Sequence, residues 1–239
     1  MEVTSLYREP AQAFEVSFGA LEFHDVFKIF RSGGVETVAL RGLDLRVGAR
    51  EFVAILGPSG SGKSTALHLA AGLDVASAGE VRVFGSSLTQ LGERELAAHR
   101  ARQVAVVFQS GNLWSELSVR ENVTIPLRLA GKRDGIRSTA ERALDTFDLQ
   151  RRERQRSGTL SGGEQQRVAI AAAAARRAPM LLADEPTGEL DGRNERLVLD
   201  ALHRLRTDFG TTVIVVTHSA RVAESADRVV EIRDGKAFA

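Results

Sequence analysis

Residues 57–65 constrain this chain more than any other segment, because they read GPSGSGKST. They satisfy G-x-x-x-x-G-K-[ST], the pattern of a phosphate-binding loop. An apolar run at 52–56 precedes the loop and a helix-like segment at 63–73 follows it. Glycines allow close approaches that side chains block, so consecutive N–H groups and a helix N-terminus can surround an anion. The sequence therefore predicts a strand, a phosphate-binding loop and a helix. The alternative is a turn rich in glycine and serine that binds nothing.

Each polar residue of the loop has an expected role toward a nucleoside triphosphate bound with Mg²⁺. Lys63 supplies a mobile positive charge for the β- and γ-phosphates, Ser64 offers its hydroxyl to Mg²⁺, and Thr65 reaches the α-phosphate. The expected nucleotide-binding residues of the loop are Gly57, Pro58, Ser59, Gly60, Ser61, Gly62, Lys63, Ser64 and Thr65.

A second apolar run, at 180–183, ends in the acidic pair Asp184-Glu185. Adjacent residues of a strand point in opposite directions, so the two carboxylates cannot do the same work. We expect Asp184 to hold the water shell of Mg²⁺ and Glu185 to polarise the water that attacks the γ-phosphate. The alternative is an ordinary charged strand end.

Composition excludes several other classes of protein. The 239 residues are 43% hydrophobic, enough for the core of one large domain. A net charge of +1, with one Trp and one Tyr, gives no reason to expect a nucleic-acid partner. The chain has no cysteine, which excludes disulfides and thiolate metal sites. Every uncharged stretch, including 168–175, is shorter than the roughly 20 residues that span a bilayer, so any membrane role would come through a partner.

Strand-like apolar runs alternate with helix-like segments along most of the chain, which predicts an α/β fold around a mostly parallel sheet. Between about 110 and 160 no strand-like run occurs, and helices are expected at 117–130 and 138–147. We interpret this part as a helical subdomain inserted in the main domain, 21–239. Residues 1–20 lack a pattern and are expected to form an irregular tail.

The segment 160–165, LSGGEQ, completes a set of motifs that resembles the ATPase subunits of ATP-binding-cassette (ABC) transporters. Six motifs follow the order of that family: GPSGSGKST, Gln109 after a strand, LSGGE, LLADEP, Glu189-Leu190-Asp191 and His218. The resemblance covers about 21–238. It implies a P-loop NTPase core with a mostly parallel sheet, an N-terminal antiparallel β part and an inserted helical subdomain.

The same resemblance implies that the nucleotide is ATP and assigns further residues to its site. Gln109 resembles the Q-loop glutamine, which touches Mg²⁺ and the attacking water. His218 resembles the switch histidine that contacts the γ-phosphate, so Lys63, Gln109, Glu185 and His218 are the expected catalytic residues. Phe30 looks like the aromatic residue that stacks on adenine, a place usually held by tyrosine. The alternative is that Phe30 simply packs within a strand.

Two further motifs are implied to act between subunits. Residues of the LSGGE signature clasp the γ-phosphate of ATP bound to the opposite subunit, and the D-loop crosses between the two subunits. The signature residues here are Leu160, Ser161, Gly162, Gly163 and Glu164, and the D-loop residues are Leu190 and Asp191. The resemblance therefore implies a head-to-tail homodimer with two composite ATP sites.

The implied function is an ATP-hydrolysing subunit whose cycle of closing and opening drives a separate membrane permease. The permease would dock near the segment from Gln109 to Trp114 and hold the chain at the cytoplasmic face of the plasma membrane. Trp114 could instead fill the core of the helical subdomain. Two other functions are open: a soluble ABC ATPase in translation, repair or cluster assembly, and a nucleotide-gated adaptor.

Details of the motifs indicate a branch of the family. Gly72-Leu73-Asp74, Phe108-Gln109 and the DEPTG of 184–188 resemble the lipoprotein-release, macrolide-export and cell-division group, the LolD, MacB and FtsE types. This suggests an exporter or a mechanical transmission system, with the cargo set by the permease. Three features depart from the group: Ala172 stands where arginine is usual, Ser157-Gly158-Thr159 lacks the usual proline, and Glu189 stands where alanine or asparagine is commoner.

Overall fold

The computed structural model describes residues 19–238. The predicted irregular tail therefore lies outside the described residues, apart from its last two positions. Ala20 is buried, and its N–H donates to the carbonyl of Val47 at 2.8 Å. Ala20 is thus packed against Val47 one residue before the predicted start of the main domain.

Ten strands and seven α-helices make up the described part of the chain. The strands are β1 (Leu21–Ser32), β2 (Val35–Val47), β3 (Phe52–Leu56), β4 (Ala78–Val83), β5 (Ser86–Ser87), β6 (Val104–Val107), β7 (Met180–Asp184), β8 (Thr212–Val216), β9 (Arg228–Arg233) and β10 (Lys236–Phe238). The helices are α1 (Lys63–Ala70), α2 (Glu93–Arg102), α3 (Val119–Leu129), α4 (Ile136–Thr146), α5 (Gly162–Arg176), α6 (Gly192–Phe209) and α7 (Ala220–Ser225).

The strands form two sheets. The larger has the order β10-β9-β3-β8-β7-β6 and is parallel except for the pairing of β10 with β9. The smaller is antiparallel, with the order β2-β1-β4-β5. The predicted fold class, a mostly parallel sheet with an N-terminal antiparallel part, is confirmed.

The continuous apolar runs of the sequence are strands buried on both faces of the parallel sheet. Along β3, Phe52 packs into a core with helices α3 to α6, whereas Val53 and Ile55 pack into a second core with α1 and the antiparallel sheet. Alternate residues of one strand thus enter different cores, which is why no polar residue interrupts the run.

Between β6 and β7 the described chain has α-helices and no strand, as predicted. Helix α3 begins with a capping box, in which the Glu121 N–H donates to the Ser118 hydroxyl and the Ser118 N–H donates to the Glu121 carboxylate. Helix α2 was not predicted, because only Leu96 and His99 of its ten residues are buried and charged residues dominate the rest. The first helix ends earlier than expected, since Gly72 has a left-handed φ of 63°.

Candidate active site

The phosphate-binding loop joins β3 to α1, in the order that the sequence predicts. Gly57 and Gly62 have φ angles of 151° and 103°. A Cβ atom at Gly57 would lie 2.0 Å from the carbonyl oxygen of Ile232, and one at Gly62 would lie 2.5 Å from that of Ala39. These glycines are therefore required by the packing of neighbouring backbone, in addition to any need for close approach by a ligand.

Lys63 is buried at the start of α1, and its ammonium group faces back into the loop. It donates to the carbonyl oxygens of Gly57 at 2.8 Å and Pro58 at 2.9 Å. Hydrogen bonds to two carbonyls hold the positive charge at the centre of the loop, where the sequence predicts that phosphate oxygens bind.

The loop borders an open cavity of about 670 Å³. The cavity brings together most of the residues that were predicted to bind ATP within one subunit. Its walls include Phe30, Gly57, Ser59, Gly60, Ser61, Gly62, Lys63, Ser64, Thr65, Gln109, Asp184, Glu185 and His218. Pro58 contributes its carbonyl to Lys63 instead. The signature residues Ser161–Glu164 are not among the described residues that line this cavity.

Phe30 lies near the end of β1, paired with Thr37 of β2. Its side chain is 43% exposed and forms part of the cavity wall. This exposure favours the predicted contact with adenine over simple packing within the strand, and the contact stays a prediction. An exposed aromatic ring beside a phosphate loop offers a face on which a base can stack.

Ser64 and Asp184 meet at the junction of the loop with β7. The Ser64 hydroxyl donates to Oδ1 of Asp184 at 3.2 Å, and the Gln109 side chain lines the same cavity. A hydroxyl, a carboxylate and an amide supply oxygen donors, which are the ligands that Mg²⁺ prefers. The residues present thus fit the predicted metal.

Glu185 has different partners from Asp184, in agreement with the expectation that the two carboxylates do different work. Its Oε1 is 2.9 Å from Nδ1 of His218, and its Oε2 accepts from the Thr217 hydroxyl at 3.1 Å. The φ of Glu185 is 48°, an uncommon left-handed angle that turns the chain at the end of β7. No sequence motif indicated that Thr217 helps to hold this carboxylate.

Gln109 is held at its backbone and at its side chain. Nε2 of Gln166, a buried glutamine of α5, donates to the carbonyl oxygens of Phe108 at 2.9 Å and Gln109 at 2.7 Å. Nε2 of Gln109 itself donates to Oε1 of Glu189 at 3.2 Å. No motif assigned a role to Gln166, although its helical spacing from the buried Gly163 and Ile170 marks it as an inward-facing polar residue.

The signature motif forms the start of α5. The Ser161 hydroxyl accepts from the Glu164 N–H at 3.3 Å, and the Glu164 carboxylate accepts from the Ser161 N–H at 2.9 Å. Burial raises the pKa of Glu164, but the bonds from Ser161 and the nearby Arg152 outweigh it and leave the pKa below its usual value. This capping box fixes a helix N-terminus, with its positive end, at the surface of the protein.

The D-loop packs beside the signature and shares a second cavity with it, of about 310 Å³. Asp191 caps α6 by accepting from the N–H groups of Arg193 and Asn194. The bond from Asn194 is the main reason that the pKa of Asp191 lies below its usual value. Leu160 is buried, whereas Gly162 and Leu190 line the second cavity.

Gly163 gives a first testable prediction. A Cβ atom at this buried position would lie 2.8 Å from Cβ and Oδ1 of Asn194. We expect Gly163→Ala to destabilise the fold by about 1–3 kcal/mol through overpacking. In an Asn194→Gly background, which removes both of these atoms, the same change should cost much less, as urea unfolding of the four variants would measure. An equal cost in both backgrounds would show that this contact does not select glycine.

Within residues 19–238 no helix combines the length and the apolar character needed to cross a bilayer. The site just described is that of a P-loop nucleotide-binding protein with an α/β core. A model of the ABC transporter family matches residues 40–188. The chain therefore belongs to the ABC transporter family, as its motifs predicted.

Several relatives share most of this chain. The lipoprotein-releasing system ATP-binding protein LolD of Acinetobacter baylyi is 40% identical over 90% of this chain and 95% of its own length. The macrolide export ATP-binding/permease protein MacB of Chlorobaculum tepidum is 41% identical over 90% of this chain. The match spans only 33% of that MacB protein, so the chain is about a third of its length. The predicted likeness to the LolD and MacB group is confirmed.

Solved structures agree with this assignment. The ATP-binding cassette MJ0796, described as a dimer in a post-hydrolysis state bound to ADP and Pi, superposes with a TM-score of 0.84. Its sequence is 37% identical, and the match covers 92% of this chain and 97% of that one. The expectations that this chain binds a nucleotide and is an ATPase are confirmed.

Proposed function

We propose that two copies of this chain clasp two ATP molecules between them and that hydrolysis drives a separate membrane permease. The observation that carries the proposal is the separation of two anion-binding features within one subunit. The phosphate loop lines one cavity, and the signature that starts α5 lines another. A second subunit in head-to-tail arrangement would supply the missing half of each site.

Within one subunit, the proposed roles follow from the contacts. Lys63 leaves its two loop carbonyls to bind phosphate oxygens, and Phe30 stacks on the adenine. Ser64, Gln109 and Asp184 would hold Mg²⁺, with Asp184 acting through water. When bound, Mg²⁺ would neutralise part of the charge on the phosphates.

Glu185 would accept a hydrogen bond from the attacking water and orient it toward the γ-phosphorus. The water oxygen forms the new bond to phosphorus as the bond to the ADP oxygen breaks. His218 and Thr217, which contact the two oxygens of Glu185, fix the direction of this carboxylate. Lys63, His218 and the partner's signature would stabilise the charge that develops on the γ-phosphate.

The edge of the parallel sheet offers a docking surface for the permease. A groove of about 240 Å³ beside β6 is lined by apolar or small residues, among them Leu113, Trp114, Pro126, Ala169 and Ala172, and by the polar residues Arg100, Asn112, Asn122 and Arg176. Trp114 is 52% exposed, which supports a role at an interface over one in the core of the helical subdomain. Ala172, which replaces an expected arginine, leaves part of this groove open.

The backbone of Trp114 is fixed while its ring is free. The N–H donates to Oδ1 of the buried Asn122 at 2.8 Å, and the carbonyl accepts from the Ser157 hydroxyl at 3.0 Å. A large ring on a rigid backbone loses little entropy on binding, as is typical of interface anchors. We therefore assign Trp114 to the permease contact, which would hold the chain at the cytoplasmic face of the membrane.

Trp114→Ala tests this proposal. Recovery of the tagged chain with detergent-solubilised membranes of its native cell should fall about tenfold or more, since a central aromatic anchor contributes at least about 2 kcal/mol. Leu129→Ala is the matched control, because Leu129 is 70% exposed on α3 and does not line the groove. Membrane recovery that is equal for the wild type and both variants would contradict the assigned surface.

A further inference from the structure

Lys28 lies beneath the aromatic ring that was assigned to the adenine. Its Nζ is 4.9 Å from the centroid of the Phe30 ring, within the range of a cation–π contact. The Lys28 side chain is only 12% exposed. An ammonium group this close to a ring, and this well covered, interacts with the ring more strongly than one in open water does.

Asp74 and Val75 hold Lys28 in this position. The Lys28 ammonium donates to Oδ1 of Asp74 at 2.5 Å and to the carbonyl of Val75 at 2.9 Å. The Val75 N–H donates to the same Oδ1 at 2.7 Å, so the carboxylate is itself oriented. Asp74 belongs to the Gly72-Leu73-Asp74 motif, to which the phosphate chemistry gives no role.

Phe30 contacts the ATP cavity directly, whereas Lys28 is set back from it. Phe30 lines that cavity together with Thr37 and Ala39, whereas Lys28 is not among the described residues that line it. The ammonium group thus contacts the ring from a position that does not line the cavity.

We infer that Lys28 is a positioning residue for the nucleobase, held by Asp74 and acting through Phe30. The inference rests on the proposed stacking of adenine on Phe30. A cation on one side of the ring draws π-electron density toward itself, which lowers the repulsion between the ring's other face and the electron-rich base. The ion pair also fixes the ring before ATP arrives, so less side-chain entropy is lost on binding.

A purely structural ion pair would behave differently. It would tie β1 to the segment after α1, and its loss would lower stability or loosen the whole site. Binding of the base and binding of the phosphates would then weaken together. A residue that acts through Phe30 changes only the contribution of the base to the binding free energy. Its replacement therefore leaves the affinity for a ligand with three phosphates and no base unchanged.

The test compares the dissociation constants of a non-hydrolysable ATP analogue and of inorganic tripolyphosphate, both with Mg²⁺, for the full chain. Lys28→Met keeps the aliphatic stem and removes the charge. It should weaken binding of the ATP analogue about three- to tenfold and leave binding of tripolyphosphate unchanged. Lys28→Arg, which retains a cation, should restore most of the difference. Lys132→Met is the control, because Lys132 is exposed and its ammonium group contacts Thr139.

Each outcome decides one question. If Lys28→Met weakens both ligands equally, or neither, the inference is overturned. If Phe30→Ala also leaves the ratio of the two constants unchanged, the proposed stacking on Phe30 fails and the inference fails with it. A changed ratio for Phe30→Ala alone would overturn only the role of Lys28. Asp74→Asn, which keeps the shape of the side chain, covers the case in which Lys28→Met does not fold, and it should shift the ratio in the same direction.

Discussion

Glu185→Gln is expected to lower steady-state ATP hydrolysis about 10²- to 10⁴-fold while the protein continues to bind ATP. The amide keeps the size of the carboxylate and can still accept a hydrogen bond from Thr217. It cannot polarise the attacking water as a carboxylate does, because it carries no negative charge. With ATP bound and not hydrolysed, dimers should accumulate, and size-exclusion chromatography with Mg-ATP would detect them.

Glu224→Gln is the matched control for this change. Glu224 is an exposed carboxylate on α7, the helix that follows His218, and it does not line the ATP cavity. Its replacement should leave phosphate release unchanged. Normal turnover in Glu185→Gln would show that another group orients the water, and the role given to Glu185 would be withdrawn.

The phosphate loop could be predicted in full because its constraints are local in sequence. Strand, glycines, lysine and helix follow one another within residues 52–70, and the pattern has few alternative explanations. The same is true of Asp184 and Glu185, which lie at the end of the buried strand β7. The sequence could also predict that these two carboxylates differ, since the alternation of a strand requires it.

Contacts that depend on how the elements pack could not be predicted. Gln166 reaches the carbonyls of Phe108 and Gln109 from 57 or more residues away, and Lys28 meets Asp74 across 46 residues. No local pattern encodes such distances, because they depend on the relative placement of helices and sheets. Helix α2 was not predicted because its residues are mostly exposed and charged, so that its sequence has almost no apolar period.

Glu189 illustrates what a departure from a family pattern can and cannot reveal. The sequence marks it as unusual for the D-loop, but nothing nearby in the sequence indicates its partner. In the structure its carboxylate accepts a hydrogen bond from the Gln109 side chain, so the Q-loop and D-loop are linked within one subunit. An unusual residue next to a catalytic motif is therefore worth testing against the packed neighbours of that motif.

A mixture of two inactive variants should recover activity if the ATP sites are shared between subunits. Lys63→Met removes the charge that binds phosphate in one half of the site. Gly162→Asp places a negative charge at the signature that would face the γ-phosphate of the partner's ATP. The aspartate also stands in the first turn of α5, where an acidic residue stabilises a helix. Each variant alone should lose about 10²- to 10³-fold in hydrolysis.

Co-expressed with different tags, the two variants form heterodimers in which one composite site is intact and the other carries both lesions. Random pairing should then restore up to about a quarter of wild-type activity, because half of the dimers are mixed and each has one working site. Lys63→Met paired with Glu185→Gln is the decisive control, since both lesions lie in the same half of the site and no pairing makes a complete one. Recovery in the first mixture and none in the second requires that Ser161–Glu164 of one subunit act on ATP held by the other.

Failure of both mixtures to recover would mean that each subunit holds a complete site, or that two working sites are needed for turnover. Wild type mixed with Lys63→Met separates these two cases, because its heterodimers also contain one intact site.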